Sequence, residues 1–186
     1  KSVVAAYEGG DATMKKSAIA ALSAWSDASA ANELLAISRK TSDQDDFNAA
    51  LTGYVSAASK ARKTPENKVI MLREALALAK TDVQKEAILK ELARNRTFNA
   101  LLLAGKYLDN PGTQQAAAQA VMSIGLANKN LYSAEIRELL TKTMAVLKGQ
   151  DSDYQKESIR KHLSEMPAGE GFVALFNGKD LTGWKG

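Results

Sequence analysis

Five residues that suit a helix start, Asp11, Asp43, Asp82, Gly112 and Asp151, punctuate the chain at separations of 32, 39, 30 and 39 residues. Each opens a segment with an apolar pair three or four residues apart: Ile19 with Leu22, Leu51 with Tyr54, Ile88 with Leu92, Val121 with Ile124, and Ile159 with Leu163. That spacing puts each pair on one face of a helix. A short helix cannot bury such a stripe against itself, so each must find a partner, and the recurrence makes the partner a neighbouring copy of the same unit. The unit is a helix pair of about 30–40 residues.

Between these marks the local chemistry agrees. After Gly9-Gly10, Asp11 can cap a helix whose stripe is Met14, Ala18, Ile19, Leu22 and Trp25, ending near Ser26-Asp27. Residues 28–40 form another, burying Leu34, Leu35 and Ile37. Ser42 with Asp45 resembles a capping signal for the stripe Phe47, Leu51, Tyr54, Val55 and Ala58. Thr64-Pro65-Glu66 combines a cap, a proline at the first helical position and an acid near the positive end of the dipole. Thr81 with Gln84 is a capping box, Thr97 a cap for Leu101, Leu102 and Leu108, and Asn110-Pro111-Gly112 a turn. Ser133 precedes the stripe Ile136, Leu139, Leu140, Thr143 and Leu147, and Ser152 with Gln155 caps the last helix, which carries Ile159, Leu163 and Met166.

The 32 alanines among 186 residues, with aromatics at 6% and only three prolines, favour helix over strand. The fold expected is all-α: a right-handed α-solenoid of antiparallel helix pairs over residues 1–166, with an extended tail after it. The segments 11–25, 43–60, 82–94, 112–127 and 151–166 are its equivalent second helices. Alanines such as Ala49, Ala50, Ala57, Ala58, Ala116, Ala117 and Ala118 permit close helix approach. The run Leu101-Leu102-Leu103, Asn110-Pro111, Ala117, Ala120-Val121 and Ile124-Gly125 resembles the HEAT-repeat pattern, and residues 1–166 look like about four and a half such repeats.

Chemistry is sparse in this helical part. No cysteine is present and His162 is the single histidine, which excludes disulfides, thiolate zinc sites, cysteine nucleophiles and histidine-clustered metals. Asp43, Asp45 and Asp46 lack the alternating ligands of a calcium loop and lie where a helix dipole favours acids. His162 has no second ligand four residues away, and reads as a packed or surface histidine. Trp25, Tyr7, Tyr54, Tyr107, Tyr132 and Tyr154 are candidates for a carbohydrate platform, although Trp25 and Tyr54 fall on apolar stripes and read as core. No serine elbow or phosphate loop is seen, and no catalytic, cofactor or metal residue is assigned.

Net charge is +4, and it is unevenly placed: residues 60–106 hold 11 basic and 5 acidic side chains, against 5 and 7 in residues 1–59. Because Lys85, Lys90, Arg94 and their neighbours alternate with Glu86 and Glu91, we read a solvated surface with i,i+4 pairs such as Glu86–Lys90, not a nucleic-acid stripe. No apolar run approaches a membrane span, and no signal-peptide core follows Lys1.

After Pro167 the period changes. Residues 167–171 read as a linker, Phe172–Phe176 as a strand and Asn177–Asp180 as a turn, with no partner strand supplied. The chain is therefore expected to be a piece of a longer protein. The stretch Gly171-Phe172-Val173-Ala174-Leu175-Phe176-Asn177-Gly178-Lys179-Asp180-Leu181-Thr182-Gly183-Trp184 closely resembles the opening of the bacterial 3-keto-disaccharide hydrolase family, a laminin-G-like β-sandwich. The resemblance implies that residues 172–186 begin such a domain, with Asp180 and Trp184 serving the turn and packing and the catalytic residues lying further on. It also implies a periplasmic or secreted bacterial protein. The helical part would then be a non-catalytic scaffold or binding module, its partners the downstream domain and a protein or a glycan. Two alternatives stand: a cover for the hydrolase cleft, or a general protein-interaction solenoid unrelated to carbohydrate.

Overall fold

The computed structural model describes residues 2–169 and Asp180, and these contain α-helix and no strand. Ten α-helices follow in order: α1 (Ser2–Gly9), α2 (Ala12–Ser23), α3 (Ala31–Lys40), α4 (Gln44–Lys60), α5 (Pro65–Leu78), α6 (Asp82–Leu92), α7 (Phe98–Gly105), α8 (Gln114–Ala127), α9 (Ala134–Val146) and α10 (Ser152–Glu165). The fold is all-α.

Their starts are set by local chemistry. Asp11, Thr64, Thr81, Thr97 and Ser133 each sit in extended backbone and accept a hydrogen bond from the N–H three residues on, as read from the sequence. Each such cap contributes about 1 kcal/mol. The Thr81–Gln84 capping box is complete in both directions. Two caps differ from expectation. Asp43, not Ser42, caps α4, because its carboxylate reaches Asp46 N at 2.9 Å and so places Asp45 inside the first turn. At α10 the cap position is Asp151, not Ser152, and it makes no side-chain cap bond, since its backbone (φ −93°, ψ 5°) is already nearly helical. Gln155 accepts a bond from Gln119 on α8 instead.

Three further corrections concern the first third of the chain. Residues 2–9, for which no element was foreseen, form α1. Helix α2 stops at Ser23, before Trp25, because Asp27 accepts bonds from Ser29 N and Oγ and starts a 3-10 turn, Ala28–Ala30, that redirects the chain into α3. Trp25 is consequently 41% exposed and Met14 51% exposed, so neither is the core residue its period suggested. In the basic middle, the Glu86–Lys90 pair does not form; Lys85 pairs with Asp82 and Arg94 with Glu91, each three residues away. Exposed pairs contribute so little that nothing holds a particular one together.

Packing joins neighbours in sequence. Helix α1 packs on α2, α3 on α4, α5 on α6, α7 on α8 and α9 on α10, while α2 touches α4, α4 touches α6, α6 touches α8 and α8 touches α10. The five segments read as equivalent are these even-numbered helices, and each contacts the next. One apolar cluster runs through them all, from Ile19 to Met166. Alanine lets the helices close up: Ala50, Ala57, Ala58, Ala117 and Ala118 are buried. Gly53 goes further, since a Cβ there would fall on Ser23 Oγ of α2 and lie 3.2 Å from Leu34 Cδ2 of α3.

At the C-terminal end the Arg137 guanidinium of α9 donates to the carbonyls of Leu163 (3.4 Å), Met166 (2.9 Å) and Pro167 (2.6 Å). It satisfies carbonyls that the end of α10 leaves without helical partners. Of the expected linker, Pro167, Ala168 and Gly169 are described. The expected strand Phe172–Phe176, the turn residues 177–179, Leu181 and Trp184 lie outside the described residues; Asp180 is exposed.

Candidate functional site

The acidic cluster is taken up by local roles. Asp43 caps α4, Asp46 is buried at 5% exposure, and exposed Asp45 reaches Lys16 of α2 at 3.4 Å. Among the described residues no group of three or more His, Asp or Glu stands together as a metal site. No described helix is long and apolar enough to cross a membrane. Nor do the aromatics form a platform. Tyr54 is 2% exposed and donates its hydroxyl to Glu74 of α5 at 2.9 Å; burial first, then that carboxylate, raise its phenol well above the ordinary range. Tyr7, Tyr107 and Tyr132 are partly buried against the core. Trp25 follows α2 and Tyr154 lies on α10, and the two helices belong to opposite ends of the packing order.

His162 is placed by α10 in a cavity of about 240 Å³ shared with Lys129, Glu165, Met166 and Pro167. Its Nε2 is buried with no hydrogen-bond partner among the described residues, and Lys129 pairs with Glu165 at 3.4 Å beside it. Burial lowers the imidazole's pKa, Lys129 lowers it further, and Glu165 opposes them. The unfolded chain therefore binds this proton more readily, starting near the ordinary value of about 6.5, so stability falls as pH drops below that value. Above it both states are neutral and the group contributes no slope. Replacing His162→Gln should flatten the decline of the thermal midpoint between pH 7 and pH 5.5, and parallel curves for the two chains would refute this.

Another concavity lies between α5 and α7. It encloses about 390 Å³ and is lined by four residues of α5 and by three of α7 together with Lys106, which directly follows that helix. These correspond one to one: Glu66 with Asn99, Val69 with Leu102, Ile70 with Leu103, and Arg73 with Lys106, every pair 33 residues apart. The caps Thr64 and Thr97 keep the same separation, so both helices begin in the same register. Within each helix the set follows the i, i+3, i+4, i+7 rhythm of a single face. Two copies of one stripe thus stand side by side, polar at the start, aliphatic in the middle and cationic at the end.

Val69 and Leu103 are buried and form the floor, Leu102 is half-buried, and Ile70 is 48% exposed. Arg73 and Lys106 are exposed and make no ion pair with a described residue; the nearby Glu74 is engaged by Arg39 and Tyr54 instead. Sequence reading missed this site. Its signal was the 33-residue correspondence on the odd-numbered helices, and attention to the acidic starts of the even-numbered ones passed over it. No family model, curated protein or solved structure matches the chain.

Proposed function

We propose that residues 1–166 are a right-handed stack of antiparallel, HEAT-like helix pairs acting as a non-catalytic scaffold or binding module. Residues 172–186 then open a β-sandwich domain that hydrolyses 3-keto-disaccharides or related glycosides, joined to the stack through residues 167–171, in a periplasmic or secreted bacterial protein. The observation that carries the hydrolase connection is the nearly unbroken resemblance of the segment from Gly171 to Trp184. What supports the stack is the succession of contacts from α2 through α4, α6 and α8 to α10, together with the continuous apolar cluster beneath them. Such a succession builds an extended surface out of units that none could stabilise alone.

The full-length protein provides the test. It should hydrolyse a 3-keto-disaccharide, and amide replacement of the helical carboxylates and histidine, Asp45→Asn, Glu165→Gln and His162→Gln, should leave kcat within about twofold. Loss of about a hundredfold or more in a folded variant would place the helical part over the reaction cleft and end the non-catalytic reading. A folded full-length protein with no such activity would remove carbohydrate and leave the general interaction solenoid.

A further inference from the structure

We propose that the α5–α7 groove docks an extended acidic segment of a partner protein, with two apolar side chains between the helices and a following carboxylate at Arg73 and Lys106. The inference rests on the helical part being an interaction scaffold, and it is independent of any hydrolase activity. Three observations choose this occupant. The aliphatic floor and the half-open walls at Ile70 and Leu102 are apolar surface that an apolar side chain would cover. The paired cations at one end have no carboxylate of their own among the described residues, and they lie in the stretch where basic residues outnumber acidic ones by 11 to 5. A partner carboxylate would satisfy both, fixing direction and register as well as adding attraction.

Dimensions settle the form of the segment. From Glu66 to Arg73 the groove follows two turns of helix, about 10 Å. An extended chain covers that length in about three residues. A docked helix is about 10–12 Å across and would ride over a 390 Å³ cavity without entering it. Glu66 and Asn99 at the far end offer acceptors to the segment's backbone N–H groups. A nucleic acid would find only two cations here around an aliphatic floor, with no aromatic in the lining to stack on.

The test uses the 186-residue chain and a fluorescein-labelled, end-capped peptide Ser-Leu-Ser-Leu-Ser-Glu-Ser, whose alternation puts both leucines and the carboxylate on one side of an extended chain, followed by anisotropy. Saturable binding with a Kd on the order of 10–100 μM is expected, as for a small contact area. Arg73→Glu combined with Lys106→Glu should weaken it at least about tenfold, Ile70→Ser should weaken it as well, and Lys90→Glu, in the same basic stretch but outside the groove, should change it less than about twofold. Both Arg73 and Lys106 are exposed and have no ion-pair partner among the described residues, so their replacement leaves the core intact, which circular dichroism can verify. Equal binding by the peptide with serine in place of both leucines would reduce the effect to general charge attraction and overturn the proposal. So would no binding at 1 mM, or binding of dodecanoate to the groove where the peptide fails, which would make it a site for free amphiphiles. Failure here would leave the hydrolysis test of the full-length protein untouched.

Discussion

Phe47→Ala is expected to lower unfolding free energy by about 3–5 kcal/mol, enough to remove a large share of the stability of a domain this size. The ring is 1% exposed in the first turn of α4, and Lys80 Nζ lies 3.9 Å from its centroid. Truncation therefore removes packing inside the cluster and a cation–π contact that covers it. Urea titration of the parent and variant chains measures the loss, with Val83→Ala, at a position 76% exposed, as the reference that should stay within about 0.5 kcal/mol. A Phe47 variant within about 1 kcal/mol of the parent would mean that α4 is not seated on the core as described.

Gly53→Val should destabilise the contact between α2 and α4. Glycine inside a helix costs about 1 kcal/mol relative to alanine, so its presence in the middle of α4 needs a reason. The reason is space: the added carbon would land on the Ser23 side chain, whose hydroxyl is itself fixed to Ile19 O at 2.8 Å, and press on Leu34. Overpacking of this kind costs about 1–3 kcal/mol, outweighing the gain in helix propensity. Combining Gly53→Val with Ser23→Gly should recover part of the loss, and a double-mutant cycle reads the coupling. Full additivity would show that α2 and α4 do not approach at this point.

The legible parts of the fold were those written in adjacent residues. Thr64-Pro65, Thr81 with Gln84, and Asn110-Pro111-Gly112 work through hydrogen bonds and fixed backbone angles spanning four residues or fewer, so the local order of residues reveals them. Trp25 was misread because an apolar period cannot tell whether the helix carrying it continues; the carboxylate of Asp27, two residues on, decides that by starting a new turn. Helix α1 escaped because eight residues with no acidic residue in the first turn give little local sign, and it is contact with α2 that seats it.

The groove was illegible for a different reason. Glu66 and Asn99 differ in charge, and none of the four pairs repeats the same residue, so the 33-residue correspondence looks imperfect in letters while being regular in position. A cavity is the space two helices leave between them, and the residues that set that distance are not those that line it. Gly105 illustrates this: a Cβ there would meet Leu139 Cδ2 at 2.7 Å, so the bare backbone of α7 is what admits α9 on its other flank.

The three carbonyls held by Arg137 have a mechanical consequence. The last turn of a helix ordinarily frays, and a pull on the chain beyond it is spent unwinding that turn. Here the carbonyls of Leu163, Met166 and Pro167 are fastened by one rigid, planar group whose own base is α9. A tug or twist applied at Pro167 is therefore passed to two helices at once, and through α9 to α7 and α8, against which it packs. The end of the chain's helical part behaves as a bolted flange with load spread over the body behind it.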